Sequence, residues 1–192
     1  MGGRHMAVRV QLGASVLEIV EGDITSQPVD AIVNAANSHL AGGGGVDGAI
    51  HEAGGPDIMT ECRRIGGCPT GQAVMTAAGR LKAKKVIHAV GPRWRDGKSG
   101  EPEQLASAYR SAFTIAAENG LKTVAVPSLS TGTYGYPVQD ASRVAIGVAL
   151  EFLATHPEVE LIRFVLFDGQ AFNAYRKQLE EQAPTQRLPT LK

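Results

Sequence analysis

Apolar and polar residues follow two different periods along this chain, and each period predicts one kind of secondary structure. Short runs of aliphatic and β-branched residues predict buried strands at residues 16–20, 31–33, 86–90, 124–126 and 162–167. An alternating run predicts an edge strand at residues 7–12, and a shorter run predicts another strand at residues 73–77. Spacings of three and four residues predict helices at residues 46–53, 56–65, 102–119, 138–154 and 171–182.

The predicted helix at residues 102–119 shows how the pattern specifies a buried face. Its apolar residues recur at the helical spacing: Leu105, Ala108, Tyr109, Ala112, Phe113, Ala116 and Ala117. Pro102 suits the first turn, and Asn119 followed by Gly120 ends the helix. Because the predicted strands are apolar almost throughout, both faces of their sheet must be covered. The pattern therefore predicts an α/β fold with a parallel or mixed sheet between layers of helices.

The length of 192 residues favours one domain, and 43% hydrophobic residues can supply a sizeable core. Lysine and arginine together number 19, as do aspartate and glutamate, so the formal net charge is zero. Extensive contact with a nucleic-acid backbone usually requires a basic domain, and this class of function is therefore disfavoured. The chain shows neither an apolar run of membrane-spanning length nor a recognisable secretory signal, which favours a cytoplasmic location. We expect a monomer without membrane contact.

The two ends of the chain differ in character from the rest. Residues 1–5 resemble an expression-vector remnant before a start at Met6, and residues 184–192 are expected to form a disordered tail. A single domain is then expected over residues 6–183. Cys62 and Cys68 have no partnering cysteine or histidine cluster in the sequence, which favours reduced thiols over a disulfide.

The richest segment for chemistry is the glycine-rich loop after the predicted strand at residues 31–33. Four consecutive glycines, residues 42–45, stand just before a predicted helix. Their exposed N–H groups and the helix N-terminus form a suitable site for a phosphate or diphosphate. A flexible turn is the alternative, but four glycines cost conformational entropy on folding.

A second loop, residues 128–137, follows another predicted strand and again combines hydroxyl side chains and glycines before a helix. It is longer than a simple connection between a strand and a helix requires. Loops that follow strands of one parallel sheet meet at the carboxyl ends of those strands, where α/β proteins usually bind ligands. The sequence therefore predicts that the two loops converge on one ligand.

Several polar and aromatic side chains are candidates for contact with that ligand, and each also has a purely structural interpretation. Asp23 can accept a hydrogen bond from an amine or cap a turn, whereas Asn34 and Asn37 can orient a sugar hydroxyl or serve as turn residues. Asp47 can act as a base or cap a helix, and His51, four residues on, shares its helix face as a partner or as a core histidine. The aromatic candidates that can pack on a ribose or a base are Tyr134 and Phe167.

Three familiar motifs fail on inspection. The glycines at 43, 45 and 48 match the dinucleotide fingerprint but stand too far beyond the strand. A P-loop ending at Ser99 would need its first glycine at Pro92, which has no N–H group. His51 and Glu52 begin a zinc-protease motif, but its second histidine is replaced by Gly55, so we expect no metal site.

Four segments, in this order, resemble the macrodomain family. They are Gly-Asp-Ile-Thr at 22–25, Val-Asp-Ala-Ile-Val-Asn-Ala-Ala-Asn at 29–37, the glycine-rich stretch at 42–51, and Ser-Thr-Gly-Thr-Tyr-Gly-Tyr-Pro at 130–137. The resemblance covers roughly residues 16–182. Asn-Ala-Ala-Asn followed by the four glycines, Val-Asp-Gly and Ile-His is similar to the MacroD-type subclass in particular.

The resemblance implies a three-layer α/β/α sandwich with a mixed, mostly parallel central sheet and ADP-ribose in its crevice. Asp23 would hold the adenine amine, with Ile24 packed beside it and Phe167 or Asp168 against the base. Backbone amides would cradle the phosphates at Gly44, Gly45, Val46, Ser130, Thr131, Gly132, Thr133 and Tyr134. Thr133 departs from the pattern, since an apolar residue is common there.

By the same resemblance, Asn37 would orient the distal ribose and Asp47 would be the catalytic carboxylate, in a hydrolase without a metal or other cofactor. The expected substrates are O-acetyl-ADP-ribose and proteins carrying mono-ADP-ribose on aspartate or glutamate. Attack at the acyl carbon and attack at the anomeric carbon both remain open. The main alternative is a non-catalytic module that reads ADP-ribose, and lesser ones are a phosphatase and an enzyme for ADP-ribosylated nucleic-acid ends.

Overall fold

The structure, a computed structural model, describes residues 6–183 of the chain. The predicted vector remnant at residues 1–5 and the predicted tail at residues 184–192 lie outside the described residues. Between them, the seven predicted strands and five predicted helices are all present, with ends that differ from the prediction by at most two residues.

The secondary structure alternates along the chain, as expected for an α/β fold. The strands are β1 (Ala7–Leu12), β2 (Ser15–Glu21), β3 (Ala31–Ala35), β4 (Ala73–Ala77), β5 (Lys85–Ala89), β6 (Thr123–Val126) and β7 (Leu161–Leu166). The helices are α1 (Gly45–Gly54), α2 (Pro56–Ile65), α3 (Glu101–Glu118), α4 (Val138–Thr155) and α5 (Gly169–Gln182), with a 3-10 turn at Ile24–Ser26. No helix within residues 6–183 combines the length and the apolarity that crossing a membrane requires.

The strands form one mixed sheet in the order β1-β2-β7-β6-β3-β5-β4. Only the two outer pairs, β1 with β2 and β4 with β5, are antiparallel. The strands from β2 to β5 in that order run parallel to one another. Their carboxyl ends therefore meet at one edge, where the loops that follow them lie side by side.

Neighbouring residues of the central strands point to opposite faces of the sheet, where two separate buried clusters form. Ala31 and Val33 pack with residues of α3, α4 and α5 on one face. Ile32, between them, packs with residues of α1 and α2 on the other face. The molecule is therefore a three-layer α/β/α sandwich, as predicted.

The last strand ends earlier than predicted, which changes the surroundings of Phe167. β7 ends at Leu166, and Phe167 follows it with 87% of its surface exposed. Asp168 caps α5, because its Oδ1 accepts a hydrogen bond of 2.8 Å from the backbone N of Ala171. This cap explains why α5 begins at Gly169 rather than at residue 171.

A row of buried polar side chains crosses three strands inside the sheet. Asn34 of β3 is paired in register with His88 of β5, and its Nδ2 lies 3.0 Å from His88 Nδ1. His88 Nε2 lies 2.9 Å from Oγ1 of Thr76 on β4, and this hydroxyl donates its own hydrogen to Ala77 O. Burial and the nearby His51 lower the pKa of His88 to about 4. The neutral ring therefore accepts from Asn34 and donates to Thr76.

We predict that His88 makes the folded state less stable as the pH falls from 6.5 to about 4. Over this interval the unfolded chain binds a proton at residue 88 while the folded chain does not. The free energy of unfolding then falls by up to about 1.4 kcal/mol per pH unit. Urea unfolding of the wild type and of His88→Gln at several pH values in this interval measures the contribution.

The free energy of unfolding is expected to fall more steeply with decreasing pH in the wild type than in His88→Gln. His39→Gln is the matched control, since His39 is exposed and lies outside the buried row. Equal slopes in the wild type and in His88→Gln would contradict the role assigned to His88.

Two buried tyrosines connect the helices to the loop that follows β6. Tyr109 of α3 and Tyr175 of α5 are fully buried, and their hydroxyl oxygens lie 3.3 Å apart. Tyr109 Oη accepts a hydrogen bond of 2.8 Å from the backbone N of Leu129. Tyr175 Oη donates one of 2.7 Å to Ser128 Oγ. Two helices thereby fix the beginning of this loop.

We predict that Tyr109→Phe lowers the free energy of unfolding by about 1–3 kcal/mol, because the buried N–H of Leu129 loses its acceptor. Chemical denaturation measures the change. Tyr136→Phe is the matched control, since Tyr136 is also buried but its hydroxyl bonds to no other described residue. A loss of the same size in both variants would show that the hydroxyl of Tyr109 is not what matters.

Candidate functional site

A cavity of about 350 Å³ opens at the carboxyl edge of the sheet, between the loops that follow β3 and β6. The first loop and the start of α1 contribute Ala35, Ala36, Asn37, Gly43, Gly44, Gly45, Val46 and Asp47. The second loop contributes Ser128, Leu129, Ser130, Gly132, Thr133 and Tyr134, while Gly91 and Arg93 follow β5. We call this space the main cavity. The two glycine-rich loops therefore converge, as predicted from the sequence.

The first loop is held by the side chain of Asn37. Its Nδ2 donates a hydrogen bond of 2.9 Å to Gly42 O, and its Oδ1 accepts one of 3.1 Å from the backbone N of Ala41. Leu40 anchors the same loop, with its side chain buried and its backbone in the left-handed region at φ 53. Asn37 therefore shapes the loop, and the second hydrogen of its Nδ2 is left for another acceptor.

Helix α1 begins at the main cavity without a side-chain cap. Its N-cap residue, Gly44, has no side chain that could cap the helix. Gly45 has φ 58, a left-handed conformation in which a side chain would be strained. The first N–H groups of a helix have no partner inside it, so those of Gly45 and Val46, which line the main cavity, are available to an anion.

Asp47 is buried in the first turn of α1 and contributes to the wall of the main cavity. Its Oδ1 accepts a hydrogen bond of 2.8 Å from Asn34 Nδ2 and lies 3.2 Å from His51 Nε2. Its Oδ2 faces Gly43, where an added Cβ would lie 3.5 Å away. Contacts with Asn34 and His51 thus hold Oδ1 in place, whereas Oδ2 faces the glycine-rich loop.

The structure changes the expectation for Asn34 and agrees with the expectation for His51. Asn34, expected to bind ligand directly, is wholly buried and does not line the main cavity. Because both hydrogens of its Nδ2 point to Asp47 and His88, it positions the carboxylate instead. His51, expected on the same helix face as Asp47, does contact it, and its Nδ1 is buried without a partner among the described residues.

The second loop presents a row of free backbone donors. None of the N–H groups of residues 130–134 donates a hydrogen bond to another described residue. Ser130 has φ 67, and its buried Oγ has no partner among the residues described. Gly91 packs directly on this hydroxyl and leaves no space for a Cβ. The row, together with the start of α1, gives the main cavity a wall of backbone donors that suits an anion.

Thr131 and Tyr134 are held in different ways within that loop. Thr131 Oγ1 donates a hydrogen bond of 2.9 Å to Ser128 Oγ, and Thr131 does not line the main cavity. Tyr134 O accepts one of 2.9 Å from the backbone N of Trp94, and its ring lies under Arg93, whose Cζ is 4.7 Å from the ring centroid. Thr133, at a position where the family resemblance favours an apolar residue, is exposed. The threonine does not remove the backbone N–H donors of the loop.

The three residues expected near adenine lie further along the same edge, outside the main cavity. Asp23 and Phe167 follow the adjacent strands β2 and β7, which the hydrogen bond from Gly22 N to Leu166 O joins at their ends. Asp23 Oδ1 accepts from the backbone N and the hydroxyl of Thr25, so the capping role is present. Ile24 is buried beneath it, whereas Phe167 is exposed.

Sequence reasoning missed the surroundings of Cys62. The thiol, expected to stand apart from any histidine cluster, has its Sγ 3.8 Å from His88 Nε2. Ligand atoms of His51, Cys62 and His88 all lie within 4.8 Å of one another. Asp47 Oδ1 lies 3.2 Å from His51 Nε2, and Thr76 Oγ1 lies 2.9 Å from His88 Nε2. Both cysteines are free and buried, and burial raises the pKa of each thiol.

Gly91 and Arg93 were also missed as cavity residues. The sequence did indicate their position, since Gly91 and Pro92 directly follow the apolar run of a predicted strand and so lie at the carboxyl edge of the predicted sheet. His88 carried a weaker signal, as a polar residue at an inward position of a buried strand.

The chain matches the family model for the Macro domain over residues 33–145. O-acetyl-ADP-ribose deacetylase 2 of Pantoea vagans is 47% identical over 167 residues, which span 85% of this chain and 98% of the relative. Among solved structures, the Oceanobacillus iheyensis macrodomain with ADP has a TM-score of 0.90 and 36% identity, covering 93% of this chain and 97% of that one. The Trypanosoma brucei macrodomain in complex with ADP-ribose has a TM-score of 0.79 and 39% identity, covering 84% and 68%.

The sheet order, the two convergent loops and these similarities all indicate the same family over most of the chain. The family model alone matches more than half of it. The chain belongs to the Macro domain family.

Proposed function

We propose that the protein binds ADP-ribose and hydrolyses esters at its distal ribose. The proposed substrates are O-acetyl-ADP-ribose and proteins that carry mono-ADP-ribose on aspartate or glutamate. The observation that carries the proposal is the position of Asp47, a carboxylate fixed by Asn34 and His51 in the wall of a cavity rich in free N–H groups. The Pantoea vagans relative, named as an O-acetyl-ADP-ribose deacetylase, supports the same chemistry.

ADP-ribose would lie along the carboxyl edge of the sheet. The N–H groups of residues 130–134 and those of Gly44, Gly45 and Val46 would bind the diphosphate from two sides. Adenine would lie at the other end of the site, near Asp23, Ile24 and exposed Phe167. The distal ribose would then reach Asn37 and Asp47, because the main cavity holds both residues.

At the distal ribose, we assign general-base catalysis to Asp47. With Oδ1 held in place, Oδ2 would remove a proton from water or from a ribose hydroxyl. The free hydrogen of Asn37 Nδ2 would hold the ribose or the water. For an ester on the anomeric oxygen, cleavage at the acyl carbon or at the anomeric carbon gives the same products, ADP-ribose and a carboxylic acid. For an ester on another ribose hydroxyl, only attack at the acyl carbon releases the acid. Water supplies the oxygen that completes the hydrolysis, and the proposed step invokes no cofactor.

Binding energy from the remote adenosine and diphosphate would be used to orient the ester. The zero net charge of the chain supports substrates recognised through one ADP-ribosyl group rather than along a nucleic-acid strand.

We predict that Asp47→Asn lowers kcat on O-acetyl-ADP-ribose by about 10²- to 10⁴-fold, because the general base is lost. Affinity for ADP-ribose should stay near that of the wild type, since the N–H groups of the two loops remain. Chromatography of the released acetate measures the change in kcat. Calorimetry with ADP-ribose measures the affinity. Asp57→Asn is the matched control, because Asp57 is an exposed carboxylate on α2 outside the main cavity.

Asn37→Ala is expected to reduce both turnover and affinity, since the loop loses two hydrogen bonds as well as the ribose contact. The alternative function is a module that reads ADP-ribose without chemistry. Tight binding of ADP-ribose by the wild type, with release of neither acetate nor ADP-ribose from a glutamate-linked protein, would establish the reader and overturn the hydrolase.

A further inference from the structure

A second cavity, of about 500 Å³, adjoins the main cavity on the side of β5. We call it the side cavity. The two share Asn37, Gly91, Arg93 and Tyr134. The remaining wall of the side cavity includes His39, Thr70, Arg95, Ser99 and Glu101. A molecule placed at Asn37 therefore has access to both spaces.

The sheet order shows which end of the site the side cavity extends. Asp23 and Phe167 follow β2 and β7, the second loop follows β6, Asn37 follows β3, and the side cavity lies at the end of β5. These strands are neighbours in that order. ADP-ribose lying from Asp23 to Asn37 would thus direct whatever is esterified to its distal ribose toward the side cavity.

The wall of the side cavity favours an anionic occupant. Arg93 and Arg95 are exposed, and neither forms an ion pair with another described residue. The carboxylate of Glu101 is engaged, because its oxygens accept hydrogen bonds from the backbone N of Arg95, Asp96 and Ser99. Burial opposes the ionisation of Glu101, but these N–H groups and its own outweigh burial and hold its pKa at about 2.

The same contacts make this wall rigid before any ligand binds. Glu101 closes the loop from Arg95 to Ser99 onto the start of α3. Trp94 is bound to Tyr134 through the backbone, and its ring lies 4.5 Å from that of Tyr136. The two arginines are therefore carried on a fixed loop, which reduces the ordering cost of binding.

We propose that the side cavity binds the polypeptide that carries the esterified aspartate or glutamate, and that it favours substrates with further acidic residues beside the modified one. The inference rests on the proposed function and extends it to the side of the ester opposite ADP-ribose. An exposed ion pair contributes modestly, so two arginines are expected to give a preference of about three- to tenfold.

The test compares two peptides that carry mono-ADP-ribose on the same glutamate, one flanked by glutamates and one flanked by glutamines. The wild type should show kcat/KM about three- to tenfold higher for the acidic peptide at low salt. The ratio should approach one as salt screens the charges. In Arg95→Gln the ratio should fall at least twofold. Because each variant is compared with itself, a folding defect lowers both rates and leaves the ratio intact.

Arg110→Gln is the matched control, since Arg110 is an exposed arginine on α3 outside both cavities, and its ratio should equal that of the wild type. Equal rates on the two peptides in the wild type, or an undiminished ratio in Arg95→Gln, would overturn the inference while hydrolysis itself stands. If neither peptide is hydrolysed, the hydrolase proposal fails, and the dissociation constants of the two peptides then test the side cavity alone. Competition by poly-ADP-ribose that depends on Arg95, without any preference between the peptides, would assign the side cavity to a second ADP-ribose unit instead.

Discussion

The side-chain amide of Asn34 joins the interior of the sheet to the first turn of α1. One hydrogen of its Nδ2 is directed to His88 and the other to Asp47, so a residue without exposed surface determines where a carboxylate stands at the cavity wall. The arrangement depends on a neutral His88, which burial in the sheet provides. The position of the Asp47 carboxylate is thus fixed by the core, not by the loop in front of it.

In front of that carboxylate, the wall of the main cavity offers mainly backbone N–H groups. Gly44, Gly45 and the residues of the second loop offer N–H groups rather than charged side chains, which is consistent with a chain of zero formal charge. The exceptions are Arg93, which lines both cavities, and Arg95, which lines only the side cavity. The cationic side chains therefore lie at the boundary with the side cavity and within it.

The fold was predictable because its strands and helices are strongly patterned and the longer helices are bounded by clear signals such as Pro102 and Asn119. The convergence of the two loops followed from the rule for parallel strands. Side-chain partnerships across strands were less accessible. The pairing of Asn34 with His88 depends on the register of β3 with β5, and the contact of Cys62 with His88 depends on α2 lying against the sheet. Spacing along the sequence contains no such information. Phe167 was placed one residue too far into its strand, since the cap formed by Asp168 competes with strand extension.

The tyrosine pair has a consequence for biosynthesis. The loop of residues 128–134 is tied to Tyr175, near the end of the described chain, and β7 lies between β2 and β6 in the middle of the sheet. A nascent polypeptide that has emerged only as far as α4 possesses every glycine of the cleft but neither the strand that unites the two halves of the sheet nor the hydroxyl that secures Ser128. The contact between Tyr175 and Ser128 can therefore form only after β7 and α5 have also been synthesised.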